Sequence, residues 1–87
     1  MSNEMYQKTG IVVNRLAQDF LSRKVGDRIP SITEYQEKFQ VSRGTVQNSL
    51  NYLKDRGAVT LISRGHMGTF IEKLDYHRLQ ECGFNKE

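Results

Sequence analysis

The first part of the chain has apolar residues at intervals of three and four positions. They are Met5, Val12, Val13, Leu16, Ala17, Phe20 and Leu21. This spacing predicts one amphipathic helix over roughly residues 3–23. Gly26 and Pro30 then end the helix, and Pro30 favours an extended conformation in the residue before it. We therefore expect a very short strand at residues 27–29.

A second, shorter helix is predicted after the proline. Ser31 and Glu34 have the spacing of a capping box, in which a hydroxyl and a carboxylate each satisfy an unpaired backbone N–H at a helix start. The helix that begins there keeps its apolar period only as far as Phe39, with Ile32 and Tyr35 on the same face. We therefore expect it to end at about that residue.

The third predicted helix covers residues 43–55. Ser42 before it has the chemistry of a helix cap, and Gly57 after it can take the left-handed conformation that closes a helix. The residues expected to point to the core are Val46, Ser49, Leu50 and Leu53. The residues expected on the outward face are Arg43, Gly44, Gln47, Asn48 and Asn51. Two helices joined by about three residues, the second one polar on its exposed side, form a helix-turn-helix.

A β-hairpin is predicted directly after the third helix. Residues 58–63 and 67–72 are rich in β-branched and aromatic side chains, and they flank a turn formed by Arg64, Gly65 and His66. A helix-turn-helix followed by a hairpin with a basic tip is a winged helix. The expected fold is therefore mainly α with a small β-hairpin, an α+β winged helix-turn-helix with three helices and a wing.

Composition excludes several classes of function. The chain has 87 residues, a net charge of +3 and 37% hydrophobic residues, which is typical of one small soluble domain. Its longest apolar run, residues 11–13, is too short for a membrane span, so we expect no membrane partner and a cytoplasmic location. The single cysteine, Cys82, cannot form an internal disulfide, and no Cys or His spacing indicates a metal or another cofactor. No nucleophile–base pattern or acid pair points to an enzyme.

The positive charge is concentrated in the middle of the chain. Residues 23–64 contain eight basic and four acidic residues, an excess of +4, whereas the remaining residues sum to −1. A basic centre suits a nucleic-acid surface, because neutralising phosphates supplies most of the affinity that does not depend on sequence. The aromatic spacing follows helix faces and does not predict a base-stacking sheet. We therefore assign three aromatic residues to the core or its edge: Tyr35, Phe39 and Tyr52.

The segment from Gly26 to Ile71 resembles the DNA-binding domain of the GntR family of bacterial transcriptional regulators. The matching pieces are GDRIPS, VSRGTV, Leu50 with Leu53, Gly57 and the wing ending GTF. With the first helix included, the resemblance extends from Met5 to Lys73. It implies that the helix at residues 43–55 enters the major groove of double-stranded DNA. It also implies that the wing at residues 64–68 contacts the flanking backbone or the minor groove.

The resemblance also implies which residues contact DNA. They are Ser31, Thr33, Ser42, Arg43, Gly44, Thr45, Gln47, Asn48, Arg64, Gly65 and His66. Arg43 matches the first arginine of the family's recognition helix, which touches a phosphate or a guanine edge. Ser42 and Thr45 match positions that donate hydroxyls to the DNA backbone, although both could equally serve only as caps. Lys38 and Arg28 are expected to add only diffuse charge.

The chain departs from the family pattern at several positions. Ile32 and Thr33 replace the usual Glu-Arg pair, and Gln36 replaces a small alanine. Gln40 stands where a turn glycine is usual, and Gln47 replaces the family's second recognition-helix arginine. These altered contacts leave an alternative function open, in which the winged helix binds another protein and not a specific DNA sequence.

Residues 75–87 follow the DNA-binding domain, which we assign to residues 1–74. They have weak helical spacing and no match to the family pattern. We interpret them as a tail or as the start of a linker to an effector domain that is absent from this chain. The resemblance implies that such a domain binds a small molecule and pairs two subunits. The expected partners are therefore a palindromic DNA operator, a second copy of the full-length protein and a small-molecule effector.

Overall fold

The structure, a computed structural model, describes residues 3–83 and the side chains of residues 10–82. Its helices are α1, Asn3–Leu21; α2, Ile32–Phe39; α3, Arg43–Asp55; and α4, Tyr76–Gly83. Its strands are β1, Arg28–Ile29; β2, Val59–Ser63; and β3, Thr69–Leu74, with a short 3-10 turn at Gly65–Met67. The predicted α+β winged helix-turn-helix is confirmed, and a fourth helix is added to the three that the pattern predicted.

The apolar face of α1 forms the centre of the core. Five of the residues predicted for this face are buried: Val12, Val13, Leu16, Ala17 and Phe20. Met5, predicted for the same face, lies outside the described side chains. Since each fully buried aliphatic or Phe side chain stabilises a fold by about 1.5–3 kcal/mol, this face supplies much of the stability of so small a domain. The helix packs against both α3 and α4.

Asp19 joins α1 to α2. Its carboxylate accepts hydrogen bonds from the Tyr35 hydroxyl at 3.0 Å and from Arg23 Nε at 2.9 Å. Lys38, expected to add only diffuse charge, has its ammonium 3.9 Å from the same carboxylate. The Tyr35 ring is fully buried and stacks on Phe39, with 5.5 Å between the ring centroids. Burial raises the pKa of Tyr35 and the nearby Asp19 charge raises it further, so the hydroxyl remains a donor to Asp19.

The ends of α2 define the turn of the helix-turn-helix. The predicted capping box is confirmed: the Glu34 N–H donates to Ser31 Oγ at 3.1 Å, and the Ser31 N–H donates to Glu34 Oε1 at 2.8 Å. At the other end, Gln40 has a φ of 58°, a left-handed conformation that glycine adopts most easily. The Gln40 side-chain amide donates to the Glu37 carbonyl at 2.8 Å, which offsets part of that cost. As predicted, three residues, 40–42, connect α2 to α3.

The strands form one antiparallel sheet in the order β1-β3-β2. The β2–β3 hairpin confirms the predicted wing, and β1 confirms the predicted short strand. Thr69 on β3 pairs with Ser63 on one side and with Ile29 on the other, and Phe70 pairs with Arg28. Because side chains alternate between the faces of a sheet, Ser63 and Thr69 share the face of the buried Ile29, while Phe70 and Arg28 share the opposite face.

The fourth helix, α4, packs on α1. Leu79 is fully buried at this contact, although the sequence shows only weak helical spacing there. Asn14 Nδ2 donates to the Cys82 carbonyl at 3.4 Å, and the Tyr76 hydroxyl donates to the Arg23 carbonyl at 3.0 Å. Burial raises the pKa of the Cys82 thiol, which favours its neutral form. These hydrogen bonds attach the end of α4 to α1 and its start to the residues that follow α1.

Two features are absent from the described residues. None of the described helices combines the length and the apolar character that are needed to cross a bilayer. Nor does this part of the chain bring together three His, Cys, Asp or Glu side chains in a way that could hold a metal ion.

Candidate nucleic-acid interface

The third helix, α3, buries one face and exposes the other. The buried residues are the predicted ones, Val46, Ser49, Leu50 and Leu53. The Ser49 hydroxyl, although buried, donates to the Thr45 carbonyl at 2.7 Å and is therefore satisfied. Of the residues predicted for the outward face, Arg43, Gly44, Asn48 and Asn51 are exposed. Since the inner face anchors the helix, the outer side chains can contact a ligand without any rearrangement of the core.

The start of α3 is a compact group of hydrogen-bond donors. Ser42 Oγ accepts from the Thr45 N–H at 3.2 Å, and the Ser42 and Thr45 hydroxyls lie 3.0 Å apart. Only one of the two hydroxyl protons can serve the bond between them, so the other proton remains for an outside acceptor. The free N–H groups at a helix start also favour an anion. The cap geometry is therefore compatible with a phosphate contact by the same residues.

Gln47 does not lie at the centre of the exposed face. Its side chain is half-buried and borders a groove between α3 and the wing. Gln47 Nε2 donates to Asn51 Oδ1 at 3.3 Å, one helical turn further along α3. One amide hydrogen and the carbonyl oxygen of Gln47 remain for another partner.

The predicted contacts near α2 are its cap residue, Ser31, and Thr33 in its first turn. Ser31 and Thr33 are both exposed. The Ser31 hydroxyl accepts the capping bond from Glu34, which leaves its own proton free to donate. Hydrogen bonding from the Ser31 backbone lowers the pKa of Glu34. The Glu34 carboxylate therefore remains ionised beside these two residues.

The wing presents exposed polar groups at its tip. Arg64, Gly65 and His66 are all exposed. Gly65 has a φ of 62°, a value that favours glycine in this tight turn. The Arg64 guanidinium lies over the Phe70 ring, 5.5 Å from its centroid. This cation–π contact places the Arg64 charge on the wing, and no acidic side chain among the described residues forms an ion pair with it.

Arg28 on β1 is a second arginine beside the wing. A Cβ atom built on Gly68 would lie 2.5 Å from Arg28 Nε, so the Arg28 side chain crosses directly over this glycine. Phe70 pairs with Arg28 across the sheet and also underlies Arg64, so β3 brings two arginines to one part of the wing. From the sequence, Arg28 was expected to add only diffuse charge. Its position beside the wing was missed because it depends on the pairing of β1 with β3, which are distant in the chain.

A groove separates α3 from the wing and has a volume of about 240 Å³. We call it the α3–wing groove. Its lining residues are Ile29, Pro30, Ile32, Gln47, Leu50, Lys54, Leu61, Ser63 and Thr69. Lys54 was also missed as a candidate, although it lies seven residues after Gln47 and therefore on the same stripe of the helix.

The assignment of Tyr52 to the core or its edge is wrong. Tyr52 is 40% exposed, whereas Tyr35 is buried and Phe39 packs at the core edge as predicted. The Arg56 guanidinium lies 4.1 Å from the centroid of the Tyr52 ring. The neighbouring Leu53 takes the inward direction, and the rotation of about 100° per residue turns Tyr52 to the surface.

The predicted site residues fall into four groups. The start of α2 carries Ser31 and Thr33; the start of α3 carries Ser42, Arg43, Gly44 and Thr45; the middle of α3 carries Gln47 and Asn48; and the wing tip carries Arg64, Gly65 and His66. The α3–wing groove brings the middle of α3 close to the base of the wing. Within the described residues, no hydrogen bond or ion pair joins the wing tip to α3.

The third helix, α3, is anchored in the core, has a polar outer face and is followed by a wing that carries arginines. These features define the winged helix-turn-helix class, in which the second helix of the motif, the position of α3 in this chain, reads DNA. The chain belongs to the helix-turn-helix domain family, whose model matches residues 24–71. Membership of this family points to DNA as the partner.

One curated relative that matches this chain is a longer protein. Over 75 residues the chain is 31% identical to Uncharacterized protein YhfZ of Escherichia coli (strain K12). The match covers 86% of this chain and 25% of YhfZ, so the chain spans about a quarter of the length of that relative. No solved structure gives a significant match to the chain.

Proposed function

We propose that the chain is the sequence-specific, double-stranded DNA-binding domain of a bacterial transcriptional regulator. The observation that carries the proposal is the two-faced α3, with four buried residues on one side and exposed polar residues on the other. In this proposal α3 enters the major groove, which is wide enough for one helix. The wing at residues 64–68 contacts flanking backbone or the minor groove. The resemblance to the GntR family supports the same docking.

Different groups around α3 would position the domain and read the sequence. Arg43, exposed at the first residue of α3, can contact either a phosphate or a guanine edge. The hydroxyl pair of Ser42 and Thr45 has one proton left for a phosphate. Arg64, placed on the Phe70 ring, suits the negative potential of a narrow minor groove.

The full-length regulator is proposed to act as a homodimer on a palindromic operator. A further domain would pair the two copies and bind a small-molecule effector, and the residues after α4 would lead toward it. Since the DNA of a bacterium lies in its cytoplasm, this regulator would work there. The proposal includes no cofactor and no catalytic step.

Selection of preferred sites from random double-stranded DNA tests this function. We expect the chain to enrich one short sequence motif. Enrichment of no motif over the starting pool would contradict sequence-specific binding. A module that instead binds another protein through apolar contacts would enrich none, and its binding would depend little on salt.

Gln47→Arg is expected to change the preferred base at one position of the motif. Asn51 accepts one amide hydrogen of Gln47, which leaves one donor and one acceptor, the pair that matches N7 and N6 of adenine. Arginine favours guanine through O6 and N7. We expect the preference at that position to move toward guanine by about 1–3 kcal/mol, measured by site selection with both proteins.

The matched control for this substitution is Gln80→Arg, which adds the same charge at an exposed position on α4. It should enrich the same motif as the unchanged chain. Since added charge also raises non-specific binding, the ratio of affinities for the adenine and guanine sites is the informative quantity. Identical preferences of the Gln47→Arg and unchanged proteins at every position would mean that Gln47 does not read a base.

A further inference from the structure

Both walls of the α3–wing groove carry side chains that can donate hydrogen bonds. Lys54 lies on the helix wall, and no acidic side chain within the described residues lies within ion-pair distance of its ammonium. Ser63 and Thr69 lie on the wing wall, where they are cross-strand partners and share one face of the sheet. Lys54 and Ser63 are exposed, and Thr69 is half-buried. The rim of the groove is therefore suited to an anion.

The docking proposed for the domain determines what must cross this groove. The major and minor grooves of a duplex are separated by one sugar–phosphate strand. If α3 lies in the major groove and the wing lies at the neighbouring minor groove, that strand has to pass between them. Lys54 lies seven residues after Gln47, about 10 Å along the helix axis. A base contact by Gln47 therefore leaves Lys54 near the edge of the major groove, which is about 12 Å wide.

We propose that the α3–wing groove holds one phosphodiester strand of the DNA, with Lys54 Nζ and the hydroxyls of Ser63 and Thr69 as its phosphate donors. Apolar lining residues such as Pro30 and Leu61 would then contact the deoxyribose. The proposal rests on the proposed function and extends it to residues that neither the sequence pattern nor the family resemblance assigned. A strand held here positions the domain without reading bases.

The test compares Lys54→Gln with Lys73→Gln by measuring the affinity for one duplex over a series of salt concentrations. Lys73 is an exposed lysine on β3, four residues and about 13 Å along the strand from Thr69. Both substitutions remove one positive charge. We expect Lys54→Gln to reduce the slope of log K against log salt by about 0.9, and to weaken binding about 8-fold at 0.1 M salt. Lys73→Gln should leave the slope unchanged.

The loss in Lys54→Gln should be equal on the selected motif and on random DNA, because a phosphate is present in every sequence. A loss confined to the motif would mean that Lys54 reads a base, and it would overturn the proposal. Equal slopes for both lysine variants would also overturn it. In that case the groove holds no strand, while salt-dependent binding by the unchanged chain would leave the proposed function standing. If the unchanged chain binds no duplex at all, both proposals fail together.

A second pair of variants tests the hydroxyls. Ser63→Ala and Thr69→Val should each weaken binding by about 2- to 10-fold, the effect of one lost hydrogen bond. Their salt slopes should match that of the unchanged chain, because a neutral donor releases no counterion. Full affinity in the double variant would overturn the assignment of the wing wall. Thermal unfolding of each variant is the control that checks whether the fold is kept.

Discussion

Leu79→Ala is expected to lower the free energy of unfolding by about 2–5 kcal/mol. Leu79 is fully buried where α4 packs on α1, so its removal loses apolar burial and leaves a cavity. Small domains have a total stability of about 5–15 kcal/mol, and this one substitution therefore removes a large fraction of it. Chemical denaturation followed by circular dichroism measures the change.

The matched control is Gln80→Ala, the exposed neighbour of Leu79 on the same helix. It should change the stability by less than about 0.5 kcal/mol, as is usual for surface positions. If Leu79→Ala also stays within that range, α4 does not pack on the core in solution. This result would favour the interpretation of the residues after Lys73 as a tail or linker, which their weak helical spacing suggested.

Fusion of the chain to a two-fold dimer is expected to raise its affinity for a palindromic site by about 10²- to 10⁴-fold. Among the described residues, the large exposed apolar side chains belong to different elements or loops, and we expect the chain alone to be mostly monomeric. They are Ile11, Val25, Tyr52, Ile62, Met67 and Tyr76. One copy of α3 then contacts one half-site, whereas a dimer places two recognition helices about one DNA turn apart.

The control for the fusion is the same protein on DNA that carries only one half-site, where the gain should disappear. The linker has to let both copies of α3 reach their half-sites, and so linkers of two lengths should be compared. Sedimentation that shows a stable dimer of the bare chain, with nanomolar affinity for the operator, would contradict the prediction.

The parts of the fold that depend on local chemistry could be predicted from the sequence. The caps of α2 and α3 are contacts between residues only three positions apart in the chain: Ser31 with Glu34, and Ser42 with Thr45. Gly57 has a φ of 75° at the end of α3, as expected for a glycine that closes a helix. These features need no knowledge of distant neighbours.

The missed features depend on contacts between distant parts of the chain. The position of α4 depends on Leu79 meeting α1, and that of Arg28 on β1 pairing with β3. The half-burial of Gln47 depends on a wing that folds back beside α3. Periodicity separates the inner face of a helix from its outer face, but it does not say which part of the outer face another element approaches.

The assignment of α3 to the DNA surface is tested most directly by measuring the duplex affinity of Arg43→Ala at low salt. Arg78→Ala is the control, since Arg78 contacts the Arg56 carbonyl beyond the other end of α3, about 20 Å from Arg43 along the helix. We expect Arg43→Ala to weaken binding by about 1–3 kcal/mol and Arg78→Ala to bind like the unchanged chain. Unchanged affinity of Arg43→Ala at low salt would contradict the account, because α3 would then not face the DNA.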